Sequence, residues 1–466
     1  MMNNRLVVSL FLVSLTFAND QIPGEDQKRP ILLKGGVLHT VSTEVLEGYD
    51  ILFSKGKIVR IEKNIMASPE TDVYDVFGKH IIPSYIAPIT RIGLVEIGLV
   101  KQTRDYAERG TYNPNVKANV SYNPDSELIP ITRSNGVLIA NSVPAGGRIS
   151  GQSSVMMLDG WTWEQATLKH PSGLHINWPS MRINYGSNIK KSEKQQREEI
   201  QKSIRDLDDM IRNVRAYFQR IKQRSRLSDE RQKADLRLES MIPFVIEHKS
   251  IFVHANEARQ IKSAVDWARK NDLKIIIVGA SDSWRLTDLL IKNNIPVIID
   301  QVEKIPTRRF EPIHLPYKLP NLLQDSGVRF CISTDFGYPL DGHVRTLPNE
   351  AMRAITWGLS KEDALRSITL SAAEILEIEE SLIALNQETE HYFVFTSTTI
   401  KKKLFVKKTI THVVILDKYG RLKLSIKNGR IFYGEESQTK QEVKQFLKSR
   451  NSDIAPQVYL LTDLKL

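Results

Sequence analysis

Apolar positions along the middle of the chain fall into short blocks of two kinds. The runs HIIPSYIA, GVLIANSV, SVMMLDG, SIFVHAN, LKIIIVGAS, IPVIIDQ and VRFCISTDF are continuous enough to be strands buried on both faces. Between the later ones, ARQIKSAVDWARKNDL and SWRLTDLLIKNN carry a helical period. Strand–helix alternation with buried runs predicts a parallel sheet. The expected class is α/β, a (β/α)8 TIM-like barrel, with an open doubly wound sheet as the alternative.

Both ends read as β-structure instead. ILLKGGVLHTVSTEVLEGYDILFSKGKIVRIEKNI is broken by Gly35-Gly36, Gly48 and the Lys55-Gly56-Lys57 turn, which predicts hairpins. HYFVFTSTT and THVVILDKYGRLKLSIKNGRIFYG repeat the pattern, with Asn428-Gly429 as a hairpin turn. Residues 31–77 and 388–435 are therefore expected to form one small composite β-domain. The barrel is expected over 78–380, and a tail over 436–466.

Residues 190–240 interrupt that scheme. KKSEKQQREEIQKSIRDLDDMIRNVRAYFQRIKQR is highly charged, yet Ile200, Ile204, Leu207, Ile211, Val214, Phe218 and Ile221 fall at steps of three and four. That spacing predicts an amphipathic helix, inserted and packed on the outside of the barrel or serving a partner. A homo-oligomer is left open by it.

The opening MMNNRLVVSLFLVSLTFAND places Arg5 before an apolar run ending near Ala18. It reads as a signal peptide over 1–18, so the protein is expected to be exported, periplasmic or extracellular. The run is short for a bilayer, and no membrane span is expected after its cleavage. The net charge of +11 comes from basic residues scattered among acids, with no Lys/Arg block. A small-molecule substrate or ligand is expected, and no nucleic acid. The single cysteine, Cys331, lies in an apolar strand-like run and reads as a core residue.

Several spaced segments, in order, resemble the amidohydrolase superfamily, in particular its imidazolonepropionase-like members. GKHIIPSYIAPITRIGL (78–94) is similar to the signature G-K-x-x-x-P-G-x-I-D-x-H-x-H that closes the first barrel strand. VHANEARQIKSAVDWARKNDLKIIIVGASDSWRLTDLLIKNNIPVII resembles the fifth to seventh strands, and VRFCISTDFG the eighth. LPNEAMRAITWGLSKEDALRSITLSAAEILEI is similar to the helical segment that follows. The resemblance implies a barrel that hydrolyses non-peptide carbon–nitrogen bonds, amide or lactam-like, with zinc or another divalent metal. Metals polarise the carbonyl and lower the pKa of bound water, while an aspartate moves the proton.

The metal positions depart from that pattern. Ile89 and Arg91 stand where the first-strand histidines are expected, and Ala87 where an aspartate is expected. The sixth strand ends in VGAS, with Gly279 or Ala280 where a histidine belongs. His254 and Asp335 alone match, whereas a catalytic zinc usually has three protein ligands. The expectation is a degenerate site without the two-metal centre, His254 and Asp335 being the residual metal candidates.

Three readings follow. A divergent hydrolase would use Asp335 and His254 as catalytic acid/base groups, with Arg91, Glu96 and Arg104 at the substrate. A catalytically inactive barrel would bind or scaffold a ligand in the same cavity. Alternatively, replacement ligands would come from His175, His314 or His343. The glycine-rich run Gly146-Gly147-Arg148 could present N–H groups to an anion or simply connect strands. A glycine expected after AEIL is Glu377, a change that bears on packing more than on chemistry.

Overall fold

The structure is a computed structural model. It describes residues 23, 27–41, 44–55, 57–186, 189–224, 234–334 and 343–378, with strands at 412–416, 422–427 and 430–433. The expected signal segment, Asp335, the Asn428-Gly429 turn and the tail at 436–466 lie outside the described residues.

Two sheets carry the fold. The first contains β1 (Ile31–His39), β2 (Val45–Ser54), β3 (Lys57–Glu62), β4 (Asp72–Asp75) and β5 (His80–Pro83). It is completed by β14 (His412–Leu416), β15 (Leu422–Lys427) and β16 (Arg430–Tyr433). Val414 pairs with Ile82, so strands from both ends of the chain share this sheet. Leu33, Ile51, Phe53 and Ile81 form its core.

The second sheet is the barrel. It runs in sequence order through β6 (Tyr85–Thr90), β7 (Val137–Ser142), β8 (Ile149–Met157), β9 (Thr167–Asn177) and β10 (Ile251–Ala255). It continues with β11 (Ile275–Gly279), β12 (Val297–Ile299) and β13 (Phe330–Ile332). The seam between the last strand and the first is bridged where Ser333 Oγ donates to the Ile89 carbonyl at 2.8 Å.

Residue alternation along these strands separates two apolar layers. Phe252, Ile276, Val278, Ile298 and Cys331 face the barrel interior. Ile251, Val253, Ile275, Ile277, Val297, Ile299, Phe330 and Ile332 face the surrounding helices. The period of two along a strand produces this partition. Cys331 is therefore a core residue, and burial pushes its thiol well above the ordinary range.

One strand orientation differs from expectation. β8, which contains the SVMMLDG run, is antiparallel to both neighbours, β7 and β9. The connections at 143–148 and 158–166 explain this, because a parallel crossover needs a dozen or more residues. β9, which the apolar pattern did not announce, supplies the strand that restores the parallel direction toward β10.

The long helix Glu193–Arg224 sends Leu207, Ile211 and Val214 into the outer apolar layer beside Met241 and Phe244. Lys270 Nζ and Asn271 Nδ2 fasten it by donating to Asp208 at 2.7 and 2.9 Å. At the opposite end of the barrel from the strand C-termini, helix Leu370–Leu376 packs against β6 and β13.

Candidate active site

The site is assembled from the C-terminal ends of the barrel strands. On β10, Phe252 and His254 share the inward face. On β9, His175 lies opposite Phe252, and Asn177 opposite His254. His175 Nδ1 and His254 Nε2 are 2.9 Å apart, one of them donating according to tautomer. The His175 ring also stacks on Phe252, with centroids 4.7 Å apart. Gly173 makes this stack possible: a Cβ there would lie 2.0 Å from the Phe252 ring.

Both imidazoles are held neutral. Burial pushes His175 well below its ordinary pKa of 6.5, and His254 adds to the effect. Burial and, after it, the positive charge of Arg91 together lower His254 to about 4. The Nε2 atom of His175 is buried without a hydrogen-bond partner among the described residues.

Arg91 follows directly on β6, and its guanidinium lies 4.2 Å from the centre of the Tyr106 ring. That stacking holds a cation on the side of the mouth that His254 occupies. Arg91 and His254 are thus brought together. Glu96 is turned elsewhere: its two oxygens accept from Asn123 Nδ2 at 3.1 Å and Ser126 Oγ at 2.8 Å. Arg104 forms an isolated bridge with Val95, two residues before Tyr106. His314 stacks on Trp357 at 5.0 Å, away from the histidine pair, and only the backbone of His343 is described.

Ile89 has a definite role. The register between β6 and β7 slips between Ala87 and Thr90, a bulge that turns Ile89 into the barrel interior. Its side chain is 0% exposed there. The carbonyls on either side of the bulge are also committed, Pro88 to Asn141 Nδ2 at 3.0 Å and Ile89 to Ser333 Oγ. Asn141 Oδ1 accepts in turn from Ser172, which meets Ser153 at 2.7 Å.

At the glycine-rich run before β8, several backbone amides are already committed within the protein. Arg148 N and Ile149 N both donate to the Thr111 carbonyl, and Gln152 N to that of Val116. Trp178 is buried against Trp267, with ring centroids 5.3 Å apart.

Sequence reasoning passed over one polar group at the mouth. Lys304 Nζ donates to Asp300 Oδ1 at 2.5 Å and to Ser281 Oγ at 3.1 Å, and Ser281 Oγ donates to Asn256. These residues follow β10, β11 and β12 directly or within one loop. An aspartate immediately after IPVII, with a lysine four residues on, was the available signal.

A divalent metal centre does not fit the described residues. They contain no group of three or more His, Cys, Asp or Glu side chains able to hold a metal ion. The two imidazoles present face each other, and isoleucine packs where another ligand is expected. Among the described residues the two histidines fall short of the three protein ligands of a catalytic zinc, Asp335 lying outside them, and the positive charge of Arg91 opposes a divalent ion.

No family model matches the sequence, and no curated protein matches it either. Solved structures do. An amidohydrolase from Thermotoga maritima MSB8 is 20% identical, covers 87% of this chain and 100% of its own, and superposes with a TM-score of 0.69. An uncharacterized protein, 13% identical, covers 87% of this chain and 100% of its own with a TM-score of 0.51. The chain has the amidohydrolase fold: a TIM-like barrel with a separate β-sheet domain.

Proposed function

We propose that this protein is a hydrolase of the amidohydrolase type, acting on a carbon–nitrogen bond other than a peptide bond in a small amide or lactam-like molecule. The observation that carries the reading is the grouping of Arg91 with the His254–His175 pair at the C-terminal mouth of a barrel of that fold. Barrels of this class place their reacting groups at that end. Water attacks the carbonyl carbon, and Arg91 stabilises the developing oxyanion with its charged N–H groups. His254, neutral at pH 7, takes the proton of the attacking water together with Asp335 and returns it to the leaving nitrogen as the C–N bond breaks, giving a carboxylate and an amine with no step through a metal.

A second reading, ligand binding without turnover, is favoured by Ile89, which fills the barrel interior with hydrocarbon where the fold class carries chemistry. A panel of small amides and lactams separates the two. Hydrolysis by the natural sequence that is lost in Asp335→Asn supports the enzyme; saturable binding with no product from any member supports the binder. Metal analysis of the purified protein tests the metal-free mechanism. Stoichiometric zinc that disappears in His254→Ala would overturn it.

Export is part of the proposal and rests on Arg5 and the apolar run up to Ala18. Fractionation of cells expressing the full chain and a chain starting at residue 19 tests it: only the full chain should leave the cytoplasm.

A further inference from the structure

We infer that a second binding site, for an anionic small molecule with a flat apolar part, lies on the outer rim of the barrel mouth. A cavity of about 480 Å³ opens between the loops that follow β9, β10, β11 and β12, against the start of helix Glu193–Arg224. Its walls carry five guanidinium groups: Arg182, Arg197, Arg259, Arg285 and Arg308. None of them belongs to the Arg91–His254 grouping, so the site stands whether or not the barrel centre is catalytic.

Four of the five are fixed in direction by carboxylates. Arg182 pairs with Glu257 at 2.7 Å, and Arg197 with Glu193 at 2.6 Å. Arg308 grips Asp282 with both terminal nitrogens, at 2.8 and 2.6 Å, and also reaches Glu311. Arg285 meets Glu311 at 3.3 Å and lies 4.2 Å from the centre of the Trp284 ring. A guanidinium has five N–H donors, so a carboxylate on one edge orients it and leaves other edges for a ligand.

Arg259 is different. It sits in the first turn of the 13-residue helix Ala258–Lys270, where the helix dipole disfavours a cation. No hydrogen bond or ion pair compensates it among the described residues, and it is exposed. Glu257, Glu193, Asp282 and Glu311 offset the other four arginines, so the charge of Arg259 is the one a bound anion would balance, relieving its conflict with the helix dipole. The apolar part of the ligand is indicated by Tyr185 and Phe310, which line the same cavity while remaining 76% and 79% exposed. Two large aromatic faces beside clustered guanidinium groups match a ring bearing phosphate or carboxylate.

Calorimetric titration of the full chain with phenyl phosphate, benzoate, inorganic phosphate and phenol tests this. At least one of the two ring-bearing anions should bind saturably, and the tighter one identifies the head group. Phenol should not bind, and inorganic phosphate should bind about tenfold more weakly than phenyl phosphate if phosphate is the head group. Arg259→Gln should weaken the better ligand about tenfold, and Phe310→Ala should do so by a similar factor, with thermal unfolding unchanged. The site is refuted if neither anion saturates, or if the better one binds Arg259→Gln and Phe310→Ala as tightly as the natural sequence.

Discussion

His175 and His254, 79 residues apart in the chain, meet through ring nitrogens 2.9 Å apart inside the barrel mouth. The contact exists because β9 and β10 are parallel neighbours with Phe252 opposite His175. The two neutral imidazoles share one hydrogen bond where neither could be charged without losing solvation.

This pair makes stability depend on pH. The folded-state pKa of His254, about 4, lies below its unfolded value of 6.5, so the unfolded chain takes up protons first as pH falls. The contribution is complete above about pH 6.5 and is lost progressively as pH falls toward 4. Urea unfolding at pH 7.5 and 5.5 should show a loss of about 1 kcal/mol at the lower pH. His254→Gln should show a smaller loss, and an equal loss in both proteins would mean that other groups dominate.

The charge of Arg91 is one of the two causes of that depressed pKa, after burial. Arg91→Met, which keeps an apolar chain beside Tyr106, should therefore raise the His254 pKa toward 6.5. Histidine ring signals followed by NMR across pH 3 to 8 would report the move. An unchanged titration would place the effective charge of Arg91 away from the imidazole.

Restoring a histidine at the first strand should not restore a metal. Ile89 is enclosed by apolar side chains, and a buried imidazole in its place lacks a partner among them. Ile89→His should cost about 2 kcal/mol in denaturant unfolding and leave the zinc content of the purified protein unaltered. Zinc bound at one equivalent in the variant would show that the remaining donors are better placed than the His175–His254 pairing indicates.

The Phe252–His175 stack depends on a missing side chain. Gly173→Ala brings a methyl group to 2.0 Å from the Phe252 ring, which must then move. Destabilisation of about 2 kcal/mol is expected, together with loss of the upfield ring-current shifts of His175. An unperturbed spectrum would mean that the ring relaxes without disturbing the pair.

Glu377 is in the left-handed conformation, with φ 54 and ψ 47, at the end of helix Leu370–Leu376. Glycine would suit that backbone better by about 1 kcal/mol. Its carboxylate, however, joins Lys274, Lys169 and Ser250 across the base of the barrel. Charge-assisted contacts of this kind outweigh the backbone gain, so Glu377→Gly should lower stability by about 1 kcal/mol in urea unfolding. A more stable variant would show that the lysines contribute little.

The strands at β10 to β13 were legible because each is a short apolar run whose two faces are both buried, and such runs are continuous in sequence. The amphipathic helix Glu193–Arg224 was legible for the matching reason, since Leu207, Ile211 and Val214 keep the helical period. His254 was singled out because VHAN matches the fifth-strand histidine in the family that the sequence resembles. His175 was noted only as one of three stray histidines, because no local pattern told that its strand lies beside β10.

By itself, then, the sequence determined the buried strand runs, the amphipathic helices and the composite β-domain, which are properties of neighbouring residues and of spacing. That Ile89 and Arg91 stand where histidines are expected is what the resemblance to amidohydrolases implies. Only the tertiary structure decided that β8 runs backwards, that a bulge turns Ile89 inward, that His175 answers His254, and that five arginines from separate helices and loops line one cavity. Each of these depends on strand register and on loops meeting across the barrel face, and such contacts between residues distant in the chain leave no periodic trace in it.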